Sequence, residues 1–132
     1  MATIFTKILQ GEIPCHALAE DDRYLAFLDI RPIQRGHTIV IPKREVDYLF
    51  DLDDADLGGI LLFARPLARA IQQVVPCRRV GVMVAGLEVP HAHVHLVPIT
   101  DLGDMRFDRA RPAEPDELAE TASAIRAVLA TA

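Results

Sequence analysis

Apolar and polar positions alternate in several short runs along the chain, which is the pattern of half-buried strands. Strands are predicted at Ala17–Glu20 and Tyr24–Leu28, on either side of a two-aspartate turn, and at the β-branched run Thr38–Pro42. Two more are predicted at Val80–Ala85 and His91–Val97, with a stretch containing glycine and proline between them.

Helical spacing of apolar residues is strongest in the middle of the chain. Asp53 is a favourable N-cap, and apolar residues follow it at intervals of three and four as far as Val75. A second helix is predicted to begin at Pro115. Its apolar stripe consists of Leu118, Ala122, Ile125 and Leu129. A short helix over Phe5–Gln10 should end at Gly11.

The order of these elements favours an α+β fold. The strands come in groups with short turns, and one long helix lies between them, so we expect a mostly antiparallel sheet of five strands. A chain of 132 residues, half of them hydrophobic, suits one domain over residues 1–132.

Charge and composition exclude some classes of function. The net charge is −5, which disfavours a protein that coats nucleic acid, although a small anionic ligand is compatible with it. We expect no membrane association, because no apolar tract is long enough to span a bilayer. The N-terminus lacks the pattern of a signal peptide, so we expect a cytoplasmic protein with Cys15 and Cys77 reduced.

Three of the five histidines are His91, His93 and His95. Side chains alternate across a strand, so these three would share one face of the predicted strand. The apolar residues between them would then face the core.

Three interpretations of this histidine face compete. A solvated polar surface is the weakest, because imidazole is an uncommon choice three times in succession. A zinc site is limited by spacing, since strand neighbours lie roughly 6.5–7 Å apart and His91 and His95 about 13 Å apart. Catalysis by a nucleophilic imidazole is favoured, because the ordinary imidazole pKa is about 6.5 and leaves a neutral nucleophile near pH 7.

The run His91-Ala92-His93-Val94-His95-Leu96-Val97 resembles the signature of the histidine-triad (HIT) family. Three other blocks resemble that family in the same order: residues 4–14, 26–32 and 36–43. The similarity covers roughly residues 4 to 98. It is greatest to the Hint-like branch, which comprises small hydrolases of nucleoside phosphoramidates and acyl-nucleotides.

This resemblance implies a reaction and a role for each site residue. His93 would attack the α-phosphorus of a nucleoside monophosphate derivative and form a covalent nucleotidyl-histidine, which water then hydrolyses. His95 would bind the phosphate, His91 would hold the neighbouring geometry, and Asp29 would take the ribose hydroxyls. The apolar walls around the base would be Ile4, Phe5, Ile8, Phe27 and Ile30, and the nucleotide would also adjoin Glu88 and Val89.

The resemblance also implies the architecture and the partners. The family fold is an α+β half-barrel with one long central helix and a C-terminal helix, often paired as a two-fold homodimer. The ligand would be a nucleotide, with a purine base expected, and no cofactor is expected. We expect no structural zinc, because Thr6 occupies the first position of the Cys-x-x-Cys pair that some relatives carry near the N-terminus.

Four positions depart from the family pattern. Glu45 stands where many members have histidine, and Val80 where they have asparagine. Leu87 replaces a glutamine, and Glu88 replaces a serine on the phosphate side of the site. Since leucine donates no hydrogen bond and a carboxylate repels phosphate, a non-catalytic nucleotide-binding or interaction module is the alternative function.

A structural role is the alternative for several of these residues. The alternative for Asp29 is a turn residue before Pro32, and for Phe5 and Phe27 it is core packing. His37, which follows a glycine at the entrance of a strand, is predicted to be structural.

Overall fold

The computed structural model describes residues 2–131. Five strands form one antiparallel sheet in the order β1-β2-β3-β5-β4. The strands are β1 Ala17–Glu20, β2 Tyr24–Leu28, β3 Thr38–Pro42, β4 Arg79–Met83 and β5 Val94–Ile99, and the helices are α1 Ile4–Leu9, α2 Asp54–Val74 and α3 Pro115–Ala130. The predicted α+β class, with a five-stranded antiparallel sheet, a long central helix and a C-terminal helix, is confirmed.

The last predicted strand begins three residues later than the sequence pattern indicates. The backbone of the preceding segment leaves the ladder: the amide of His91 donates to the carbonyl of Val89 (2.8 Å), and the amide of Ala92 donates to Val46 (2.7 Å). Strand β4 ends at Met83, two residues before the predicted end at Ala85. Met83 pairs with His95, and the residues that would pair with the next positions of β4 have left the ladder. His91 and His93 therefore precede β5 rather than belonging to it.

The two faces of the sheet are covered unequally. Helices α2 and α3 pack on one face and form the larger core, to which β5 contributes Val94 and Leu96. Helix α1 covers the other face with a smaller cluster around Phe5 and Phe27. His95 pairs with Ile39, a member of this smaller cluster, so it points to the α1 face, away from the larger core.

The long helix α2 begins as the sequence indicates. The carboxylate of Asp53 accepts a hydrogen bond from the amide of Asp56 at 2.8 Å. Within the described residues, no helix combines the length and the apolar character needed to cross a membrane.

Candidate functional site

A cavity of about 320 Å³ opens on the α1 face of the sheet. It lies between α1, the end of β2 and the segment that precedes β5. All the predicted site residues line it except His91: Ile4, Phe5, Ile8, Phe27, Asp29, Ile30, Glu88, Val89, His93 and His95. Ile4 and Ile30 are about half exposed, at 49% and 61%, whereas Phe5 and Phe27 are buried beneath them.

His91 lies behind the cavity wall and is fully buried. Its Nε2 is 2.8 Å from the carbonyl oxygen of Pro42, which can only accept, so Nε2 carries the proton. Nδ1 then accepts from the hydroxyl of Thr3 at 3.0 Å. Burial lowers the pKa of the His91 ring below its ordinary value, so the ring is neutral near pH 7.

The ring of His93 is held by the backbone of His91. His93 Nδ1 lies 2.7 Å from the His91 carbonyl oxygen, and because a carbonyl only accepts, the proton of the neutral ring sits on Nδ1. Nε2 then keeps its lone pair. The Phe5 ring contacts His93 edge to face, with centroids 5.0 Å apart. The neutral ring thus presents an unprotonated nitrogen on a fixed imidazole.

His95 is oriented by a residue that the sequence marks as structural. The amide of Ile33 donates to His37 Nδ1 at 3.0 Å, so the proton of His37 lies on Nε2. That nitrogen donates to His95 Nδ1 at 2.9 Å, which leaves the proton of His95 on its own Nε2. His37 therefore determines which nitrogen of His95 is a donor. A histidine at the entrance of the neighbouring strand was the only sequence signal for this contact.

Burial keeps this pair neutral. It lowers the pKa of His37 to about 4 and that of His95 to about 3, with His37 and then His93 as further causes for His95. His95 Nε2 is buried and has no partner among the described residues. Its ring lies beside His93, with centroids 4.9 Å apart. A donor without an acceptor, next to a free ring nitrogen, suits an anionic oxygen of a ligand.

Asp29 is a turn residue whose carboxylate also lines the cavity. Its carboxylate accepts from the amide of Arg31 at 2.9 Å, as a turn residue does. It also lines the cavity, where one oxygen lies 3.7 Å from His37 Nε2. Burial raises its pKa, and Glu88 adds to the rise.

The four departures from the family pattern lie in different environments. Leu87 is 91% exposed and does not line the cavity, whereas Glu88 does. One Glu88 oxygen and one ring nitrogen each of His93 and His95 lie within 4.8 Å of one another. Val80 packs against the larger core on the opposite face, and Glu45 lies outside the cavity.

Two groups of side chains have the spacing of metal ligands: Asp29, His37 and His95, and Glu88, His93 and His95. In the first, an ion would replace the hydrogen bond between His37 and His95. In the second, His95 Nε2 carries a proton, and a metal ligand must be unprotonated. The existing hydrogen bonds therefore oppose an ion at either place.

A family model described as HIT domain matches residues 10–102. The chain belongs to the histidine-triad family. It is 37% identical over 103 residues to adenosine 5'-monophosphoramidase hnt1 of Schizosaccharomyces pombe, covering 74% of each chain.

Two solved histidine-triad structures share the fold. A Hit-like protein of Bartonella henselae has a TM-score of 0.84 at 30% identity, over 96% of this chain and 95% of the other. A zinc-bound histidine triad family protein of Mycobacterium smegmatis has 0.83 at 31%, over 99% and 95%.

Proposed function

We propose that this histidine-triad protein hydrolyses nucleoside phosphoramidates or related nucleoside monophosphate derivatives through a covalent intermediate on His93. The observation that best supports this proposal is that the rings of His93 and His95 lie side by side. The free Nε2 of one ring adjoins the unpartnered Nε2–H donor of the other. The phosphoramidase relative in fission yeast agrees with this chemistry.

In the first step, His93 Nε2 forms a bond to the α-phosphorus while the bond from phosphorus to the amine nitrogen breaks. The leaving amine takes up a proton from solvent water, and the hydrolysis of the second step returns a proton to solvent. His95 Nε2–H donates to a non-bridging phosphate oxygen, whose charge grows in the transition state. In the second step, water attacks the phosphorus, releases a proton and frees His93, and the product is a nucleoside monophosphate.

The rest of the cavity provides binding for the nucleoside. Asp29 accepts hydrogen bonds from the ribose hydroxyls, and the apolar walls hold the base by burial and stacking. Those walls read no base edge, so we propose a purine, and adenine in particular, on the basis of the relative named an adenosine monophosphoramidase.

The decisive experiment is mass spectrometry of the protein after brief mixing with adenosine 5'-phosphoramidate, without an acid quench. An adduct of one nucleotidyl group is expected in wild type and absent in His93→Ala. Turnover should fall in that variant by about a thousandfold or more. Wild type that forms no adduct and releases no monophosphate from any of several nucleosides would refute the proposal.

The second candidate is a nucleotide-binding module that turns substrate over poorly. The position of Glu88 favours it, because a carboxylate near His93 and His95 opposes a bound phosphate. Tight binding of a nucleoside monophosphate together with no adduct in the same experiment would favour this candidate over the enzyme.

We also propose a homodimer built on α2 and β4. Four apolar side chains on these elements and just beyond β4 are exposed: Leu61, Leu62, Val82 and Val84. Strand β4 is at the edge of the sheet, so its outer side is open for a partner. A two-fold pairing would cover both features.

A further inference from the structure

The carboxylate of Glu45 joins the loop after β3 to the start of the chain. Its Oε1 accepts from the backbone amide of Thr3 at 2.9 Å and from the hydroxyl of Thr6 at 2.6 Å. Exposed carboxylates usually bind water, so two protein donors from one short helical segment are a specific arrangement. Glu45 therefore ties α1 to the loop on which it sits.

The same connection reaches the catalytic histidines. Thr3 donates its hydroxyl proton to His91 Nδ1 at 3.0 Å, because the Nε2 proton of His91 is already given to Pro42. The carbonyl of His91 in turn accepts from His93 Nδ1. Three hydrogen bonds, linked by the covalent structure of Thr3 and His91, thus connect Glu45 to the ring of His93.

Helix α1 carries a second connection to the same ring. The Thr3 hydroxyl accepts from the amide of Thr6 at 3.1 Å and so caps α1. Two residues further along, the Phe5 ring packs against His91 and His93, with ring centroids 5.7 and 5.0 Å away. A shift of α1 would therefore move a wall that touches both rings.

We propose that Glu45 is a positioning residue for the reaction proposed above, acting through Thr3 and Thr6 to hold α1, the ring of His91 and thereby the nucleophile His93. Glu45 touches no substrate in this arrangement. The hydrogen bonds from the Thr3 amide and the Thr6 hydroxyl lower the pKa of this carboxyl, as expected for donors that favour its charged form. What it supplies is the placement of groups already in the site.

The test compares Glu45→Ala and Glu45→Gln with Asp47→Ala, a matched control on the same loop whose carboxylate is also exposed. Two readouts are needed: the ¹⁵N chemical shifts of the His91 ring, which report its tautomer, and kcat with adenosine 5'-phosphoramidate. In Glu45→Ala we expect a changed His91 Nδ1 shift and a kcat about ten- to a hundredfold lower. Glu45→Gln keeps an acceptor oxygen and should restore most of both. The control should match wild type.

Two results would overturn the inference. One is a folded Glu45→Ala protein with wild-type His91 shifts and wild-type kcat. The other is a fall in thermal stability with kcat unchanged, which would make Glu45 structural only. Should Glu45→Ala fail to fold, Thr6→Ala removes one of the two donors and is read by the same criteria. If wild type hydrolyses no phosphoramidate, the proposed function fails, and the His91 shifts alone decide the role of Glu45.

Discussion

His37 and His95 share a hydrogen bond of 2.9 Å whose direction is fixed from outside the site. The backbone amide of Ile33 occupies His37 Nδ1, so the proton between the two rings comes from His37. One amide thereby makes His95 Nε2 a donor toward the cavity. His37, predicted to be structural, and His95, predicted to bind phosphate, thus form one hydrogen-bonded pair.

Replacing His37 with leucine should impair catalysis without removing the nucleophile. His95 Nδ1 loses its donor, and the ring is then free to carry its proton on the wrong nitrogen. We expect kcat/KM to fall about a hundredfold, the typical cost of losing one oxyanion donor. His37→Gln should recover part of the loss, because its amide can accept from Ile33 and donate to His95. A leucine variant within twofold of wild type would contradict this orientation mechanism.

His37 and His95, two of the four buried histidines, should make the protein sensitive to acid. Their folded pKa values are about 4 and about 3, below the ordinary 6.5, so the unfolded chain binds protons first as the pH falls. Stability is therefore lost from about pH 6.5 down toward pH 4, at about 1.4 kcal/mol per pH unit for each histidine. Asp29 acts in the opposite sense, because its pKa is raised in the folded state.

Urea unfolding at pH 7 and pH 5 measures this loss. His37→Gln removes one titrating group, so the difference between the two pH values should be smaller than in wild type. An equal difference in both proteins would show that His37 does not carry the acid sensitivity.

The sheet was predictable because its strands carry strong local signals. The first four residues of the run Thr38–Pro42 are β-branched, and Asp53 caps α2 as its residue type indicates. The start of β5 was not predictable, because His91 and Ala92 are removed from the ladder by carbonyls of Val89 and Val46. A long-range acceptor of that kind leaves no local pattern in the sequence.

The cavity lining was predictable from family resemblance, but the connections behind it were not. His37 and Glu45 each make a hydrogen bond between residues far apart in sequence: 58 residues separate His37 from His95, and 42 separate Thr3 from Glu45. The motif blocks place each residue on its own element. The direction of each hydrogen bond follows only from which atoms meet across the fold.

Replacing each of two adjacent glycines of α2 with alanine should change the free energy of unfolding in opposite directions. A Cβ on Gly58 meets no atom within 4 Å, whereas one on Gly59 would lie 2.5 Å from the hydroxyl oxygen of Tyr24. Tyr24 is buried and donates to the carbonyl of Asp56, so it has little room to move. Gly58→Ala should stabilise by about 0.5–1 kcal/mol through helix propensity. Gly59→Ala should destabilise by about 1–3 kcal/mol through overpacking.

Calorimetric Tm values test this pair directly, with about 4 °C expected per kcal/mol for a chain of this length. Because the two glycines are neighbours on one helix, helix propensity alone would raise the Tm of both alanine variants. Two shifts of the same sign would therefore contradict the close approach of Tyr24 to Gly59.

A charge on the exposed face of α2 should separate the proposed dimer. Leu62 is 61% exposed, and Leu62→Glu would place an unpaired carboxylate in an apolar interface. By light scattering, wild type should have a mass of about 29 kDa, twice the 14.6 kDa of one chain, and the variant should have the mass of one chain. Ala127→Glu, on the exposed side of α3, is the control. Monomeric wild type would rule out the dimer.

The carboxylate of Glu88 should weaken nucleotide binding, and replacing it with the neutral amide of glutamine should strengthen that binding. The carboxylate lies near the two nitrogens proposed to meet the phosphate, and the side chain is exposed, so the repulsion is modest. Glu88→Gln should bind adenosine monophosphate about two- to fivefold more tightly, the range typical of one exposed charge pair. The gain should shrink at high salt, since screening weakens the interaction between exposed charges.

Titration calorimetry at two salt concentrations measures both effects, with Asp47→Asn as the charge-matched control. Weaker binding by Glu88→Gln would mean that the carboxylate makes a favourable contact with the ligand, and that its place beside His93 serves recognition rather than repulsion.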